Sequence, residues 1–208
     1  LHLCDRRQRQ MCIRDRSYYD PSKKTVENGV FSRANDRKLG DTGQSVILRG
    51  TDAFIAVENS GIIWKIDATT FKVRGQLDSK STGGKMINPR YIHFISDTKA
   101  YATDLYAPYI TVFNPQTMEY IKSIPTGQEV VEQYASTEEM VQYGKYVFTN
   151  CWSYSNKILV INAEKDVVDG EITLPSMQPK SMKLDKNGKI WVITDGGYQG
   201  SEYGDDYP

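Results

Sequence analysis

The sequence predicts an all-β chain: a partial β-propeller built of four-stranded antiparallel blades. Three observations predict it. A short apolar strand closed by an acidic or amide residue recurs at Asp20, Asp67, Asn114 and Asn162, in steps of 47, 47 and 48 residues. Each recurrence sits in a unit of four short strands, and a period in the forties with four strands per unit is that of a propeller blade. Inner strands such as Ala53–Val57 are apolar on both faces, as a sheet packed between two neighbours requires.

The elements follow in chain order. "YYD", ending at Asp20, is followed by the turn "PSKKT" and an outer strand "VENGVF". The first full unit reads "QSVIL", "AFIAV", "IIWKID" and "VRGQL"; its outer strand alternates Val73, Gly75 and Leu77 with Arg74 and Gln76. The second reads "RYIHF", "KAYAT", "YITVFN" and "YIKSI", and the third "EEMVQ", "KYVFT", "ILVIN" and "VDGEI". A last pair, "KSMKL" and "KIWVI", is joined by the turn "DKNGK". No stretch longer than a turn shows a good helical period; "STEEMVQYG" is assigned to a first strand by its place in the repeat. The register enters at a third strand and stops after a second strand. Residues 17–208 are therefore expected to be an incomplete propeller domain, about half of a parent, since closed propellers need about four to eight blades. Each end is expected to expose an apolar sheet face.

The run "RRQRQMCIRDR", Arg6 to Arg16, stands outside this pattern. A nucleic-acid arm needs a folded basic face beside it. Without residues 1–16 the chain has 21 basic and 24 acidic residues, so none follows. A targeting peptide needs an apolar core and a small-residue cleavage site, and the run has neither. Back-translated, it resembles a tagmentation adapter with its mosaic end. Residues 1–16 are therefore read as an adapter-derived scar outside the fold, with a natural basic tail as the alternative. Cys4 and Cys12 leave with the scar. Cys151 alone makes neither an internal disulfide nor a multi-cysteine metal site. No segment reaches 18 consecutive apolar residues.

Antiparallel blades place the 2–3 loops and the blade-to-blade connections on one face. That face collects Tyr106, Tyr109, Trp152, Tyr154, Tyr198 and Tyr203, with Asp104, Asn150, Asn156 and Asp195 among them. The opposite face has short polar turns. Tyr and Trp combine large stiff contact area with a polar tip, which suits ligand or partner contact; filling gaps between blades is the other reading. Arg90 and Lys180 occupy equivalent first-strand positions, with Glu138 between them. They are expected near the channel mouth, to meet an anionic ligand or to stay solvated. The candidate ligand-binding set is Arg90, Asp104, Tyr106, Tyr109, Asn150, Trp152, Tyr154, Asp195 and Tyr198. No catalytic or metal residue is assigned. His93 reads as a hydrogen-bonded packing residue and Cys151 as inert and buried. "DKNG" lacks the later acidic ligand of a calcium loop, and "TDGGYQG" has no helix behind it to hold phosphate.

"NPRYIHFISDTKAYAT", "MVQYGKYVFTNCWSY" and "WVITDGGYQGS" resemble the YncE-like, surface-layer-type propellers of Bacteroidetes outer membranes. The resemblance spans residues 17–208. It implies a seven-bladed lipoprotein at the cell surface, non-catalytic and without a resident cofactor. In one branch the ligand is a corrinoid, vitamin B12, passed to a TonB-dependent outer-membrane transporter; other branches have no assigned ligand. Two other functions stand beside this one: a propeller hydrolase or lactonase with a channel metal, and a surface scaffold that docks proteins through the same rim.

Overall fold

A computed structural model describes residues 15–127 and 137–205. Most of the run read as a scar lies outside the described residues, as does 128–136 of the connection "PTGQEVVEQYAS". The strands are β1 (Tyr18–Asp20), β2 (Thr25–Glu27), β3 (Gly43–Arg49), β4 (Asp52–Val57), β5 (Ile62–Asp67), β6 (Val73–Asp78), β7 (Pro89–Phe94), β8 (Ala100–Asp104), β9 (Tyr109–Asn114), β10 (Glu119–Pro125), β11 (Thr137–Tyr143), β12 (Tyr146–Cys151), β13 (Lys157–Asn162), β14 (Val167–Thr173), β15 (Pro179–Leu184) and β16 (Ile190–Thr194). Each sheet is ordered as in the chain: β3 to β6, β7 to β10 and β11 to β14 form three blades, flanked by the pairs β1–β2 and β15–β16. The all-β, four-stranded architecture read from the repeat is the one observed.

The recurring Asp or Asn has a local cause. Its side-chain Oδ1 accepts backbone N–H groups two and three residues on. Asp67 takes Thr69 and Thr70 at 2.8 and 2.7 Å, and Asn162 takes Glu164 and Lys165 at 3.1 and 3.2 Å. Asp20 and Asn114 do the same. Four residues later each turn places a residue at positive φ: Lys24, Phe71, Met118 and Asp166. The side chain stands in for a backbone acceptor and lets the chain reverse between the third and fourth strands. These hydrogen bonds, first among them the Ser22 hydroxyl's, lower the Asp20 carboxyl to about 2.

The inner strands are buried on both faces, and their alternation divides the core. Phe54 and Ala56 face the second blade, with Met86, Ile92, Ala102 and Phe113. Ala53, Ile55 and Val57 face the opposite way, toward Trp64, Leu39 and Phe31. Tyr101, Ile110 and Val112 pack against Val147 and Ile161 of the third blade. The layers between blades are thus the core, and a one-residue slip would invert each of them.

One assignment is corrected. "VENGVF" is not a single strand. Only Thr25–Glu27 pairs with β1. Gly29, at φ 67°, turns the chain, and a short helix α1 (Val30–Asn35) follows. A three-residue partner strand offers little cover, whereas Phe31 in α1 is fully buried with its ring 5.4 Å from Trp64. Asn35 fixes the helix to the first blade, donating to Phe71 O and accepting from Val73 N. At the end of the basic run, Asp15 accepts the N–H groups of Phe31 and Ser32, each at 3.1 Å. Among the described residues no helix is long and apolar enough to cross a membrane.

Two sheet faces lie open. Val46 and Leu48 project from β3, and Trp191 and Ile193 from β16 at 67% and 69% exposure. Apolar faces of this kind favour association. The 208-residue chain is expected to self-associate at micromolar concentration, and Trp191→Ser with Ile193→Thr to shift it toward monomer. Sedimentation velocity reads the change; an unaltered distribution would refute the assignment of that face.

Candidate functional site

The repeat superimposes the blades residue by residue. An irregularity in register falls at the same place in every first strand, after Gly43, Pro89, Thr137 and Pro179. The residue after each is Gln44, Arg90, Glu138 or Lys180. The residue after each second strand is Glu58, Leu105, Trp152 or Asp195. These two positions meet where the innermost strands join the 2–3 loops.

Between the first three blades they form a buried ionic group. Arg90 Nη1 is 2.5 Å from Glu58 Oε2, and Arg90 Nε is 2.8 Å from Glu138 Oε1. Two carboxylates share one guanidinium, and Glu138 lies 4% exposed. Its burial outweighs the attraction of Arg90 and raises its carboxyl to about 7. The next pair of side chains repeats the contact between blades: Ser181 Oγ donates to Glu139 Oε2 at 2.9 Å. Farther along the wall, His93 Nε2 pairs with Gln142 Oε1 at 3.0 Å. Burial lowers the His93 imidazole, consistent with the packing role read from the sequence.

Between the third blade and β15–β16 the same positions form an aromatic cluster. Trp152 Nε1 donates to Asp195 Oδ2 at 3.3 Å. Lys180 Nζ stands 5.9 Å from the Trp152 ring centre and 4.0 Å from Asp195 Oδ2. Tyr154, at φ 57°, stacks with Tyr198 at 4.9 Å and meets Tyr203 edge-on at 5.1 Å. Loop conformation sets this arrangement: β12–β13 carries Trp152 and Tyr154, and the segment after β16 carries Asp195, Tyr198 and Tyr203.

The structure therefore brings together Trp152, Tyr154, Asp195 and Tyr198 of the sequence-derived set. Arg90 sits in the neighbouring ionic group, half-buried. Tyr106 lies one blade earlier on the β8–β9 connection and Tyr109 opens β9, where Lys85 Nζ approaches its ring to 5.6 Å. Asp104 and Asn150 turn inward. Asp104 is fully buried and accepts four backbone N–H groups: Ile87 and Asn88 on Oδ2, Tyr106 and Ala107 on Oδ1. Asn150 donates to Pro179 O at 2.5 Å, and its Oδ1 has no hydrogen-bond partner among the described residues. Both tie loops in place beneath the face. Cys151 is buried and its thiol is pushed up to about 12, the signature of an inert cysteine. Glu58 was not singled out from the sequence. The signal that finds it is positional, since it occupies the repeat position of Trp152 and Asp195. Among the described residues, no three His, Cys, Asp or Glu side chains come together to hold a metal ion.

A protein-family profile described as a domain of unknown function, DUF5074, matches residues 16–198. No curated protein matches the chain by sequence. Solved structures share the fold. Hydrazine synthase of Kuenenia stuttgartiensis is 21% identical with a TM-score of 0.59, over 73% of this chain and 40% of that one. The β-propeller domain of Cps50 (Swd1) from Myceliophteria thermophila is 12% identical, with a TM-score of 0.60 over 86% of this chain and 55% of its own. The WD40 β-propeller domain of Doa1 is 14% identical, with a TM-score of 0.56 over 76% and 49%. The chain thus spans roughly half, or less, of the chains it resembles. At these identities the likeness shows the fold alone, the β-propeller.

Proposed function

The chain belongs to the DUF5074 family, and from that premise we propose that it is a non-catalytic binding propeller whose leading ligand is a corrinoid. The observation that carries the reading is the aromatic cluster: Trp152, Tyr154, Tyr198 and Tyr203 are drawn from two successive blade positions, with Asp195 and Lys180 beside them. A corrinoid is broad and flat and carries amide arms. Stiff aromatic faces flanked by donors and acceptors match such a molecule in both respects. The resemblance of "MVQYGKYVFTNCWSY" and "WVITDGGYQGS" to YncE-like surface propellers of Bacteroidetes supports the same reading, because these segments supply the cluster. In this reading the parent is an outer-membrane surface lipoprotein, and its partner is a TonB-dependent transporter.

Calorimetry with cyanocobalamin tests the proposal on the 208-residue chain. Binding is expected at micromolar protein, weakened roughly tenfold or more in Trp152→Ala with Tyr198→Ala, about 1.4 kcal/mol. Absence of heat from a folded chain, or unchanged affinity in the double variant, would overturn it.

A further inference from the structure

Equivalent positions on adjacent innermost strands touch. Arg90 and Glu138 do so at 2.8 Å across the second and third blades. Lys180 is the next member of that row, and the contact of Ser181 with Glu139 shows that β15 lies in the same register against β11. Lys180 nevertheless points elsewhere. It is 64% exposed and stands 4.0 Å from Asp195, a long ion pair, with its ammonium over Trp152. Glu138 meanwhile shares its one guanidinium with Glu58. The ionised carboxylate lacks a full counter-charge, and the cation placed to supply it is occupied at the rim.

We propose that Lys180 is a two-position cation: it holds Asp195 and Trp152 while Glu138 is protonated, and turns to Glu138 when that carboxyl ionises, which frees the aromatic rim. Arg90 on β7 and Lys180 on β15 hold the same register position, so they flank the strand position of Glu138 from its two neighbouring blades. The titratable groups on the strands packed against β11 are Arg90, Tyr91 and His93 on β7, Tyr101 and Asp104 on β8, Tyr146 and Cys151 on β12, and Lys180 and Lys183 on β15. Arg90, Glu58 and Glu139 are the ones that act on the Glu138 carboxyl. Arg90 is shared with Glu58, and Lys183 lies 3.7 Å from Glu139. Among the described residues, Lys180 is the lysine at the strand position next to that of Glu138, and its own pair with Asp195 is the longer of the two. Burying a carboxylate with too little counter-charge is costly, and the side-chain turn supplies the missing partner. Because Glu138 holds its proton up to about pH 7, the rim is closed by Lys180 on the acid side and released on the alkaline side.

The test needs no ligand, so its outcome is separate from that of corrinoid binding. The indole N–H resonance of Trp152, assigned with Trp152→Phe, is followed from about pH 5 to about pH 9. The background is Trp191→Ser with Ile193→Thr, to limit association. One transition centred near pH 7 is expected. It should vanish in Glu138→Gln and in Lys180→Met and persist in Lys180→Arg, while the buried Trp64 stays flat. A flat Trp152 signal in the parent, or a transition of equal size in Lys180→Met, would overturn the proposal. Lys180 is on the surface, so its variants remain folded even where a change at Glu138 is not tolerated.

Discussion

Asp104→Asn is expected to lower the unfolding free energy by about 3–5 kcal/mol, among the largest effects of any single substitution on the ligand face. The fully buried carboxylate receives four backbone N–H donors, at 2.7 to 2.9 Å, from both ends of the connections it joins. Ile87 and Asn88 belong to the segment entering β7, and Tyr106 and Ala107 to the turn leaving β8. An amide keeps one oxygen for two of these donors and turns its own NH2 against the other two. Each buried N–H left without an acceptor costs about 1–3 kcal/mol. Asp67→Asn is the contrasting variant. Its turn needs one accepting oxygen, and Asn already fills that role at Asn114 and Asn162. It should leave the urea midpoint nearly unchanged. Urea unfolding of the two variants separates the cases; equal midpoints would show that the four donors find other acceptors.

Arg90→Met is expected to be nearly as damaging, and strongly dependent on pH. The substitution leaves Glu58 and Glu138 facing each other in a pocket from which water is largely excluded. Removing one partner from a buried ionic group costs about 3–5 kcal/mol. The sign of the pH dependence follows from linkage. Burial already raises Glu138 to about 7, above its unfolded value, so the folded chain binds the extra proton between roughly pH 4.5 and pH 7. Stability therefore falls as pH rises through that window. Without Arg90 the fall is steeper and extends to higher pH, because two like charges confined together resist ionising together. The variant should lie close to the parent near pH 5 and far below it near pH 8. A destabilisation equal at the two pH values would mean that lost packing of the arginine stem, not uncompensated charge, dominates.

Much of the fold is legible in the sequence because its causes are local. The Asp or Asn that ends each third strand acts on N–H groups two and three residues away. Its spacing therefore records the blade period directly. The two-sided apolar pattern of Ala53–Val57 likewise marks a strand buried on both faces. The helix Val30–Asn35 was not legible. Val30 and Phe31 suit a strand by composition, and the outcome turned on the cover available beside Trp64.

The face that carries the aromatics was legible from the antiparallel connection rule, but the roles of its residues were not. Asp104 and Asp195 look alike in sequence, each following an inner strand among tyrosines. One is fully buried under four N–H donors, while the other meets the Trp152 indole at the rim. What the sequence determined by itself is the period, the strand count per blade and the side on which Trp152, Tyr154 and Tyr198 emerge, because strand alternation and turn chemistry act over a few residues. Tertiary structure alone decided that Arg90 lies between Glu58 and Glu138 while Lys180 stays at the rim. Those partners lie on different blades, and charge pairing over such separations depends on the distance and burial set by packing the sheets together.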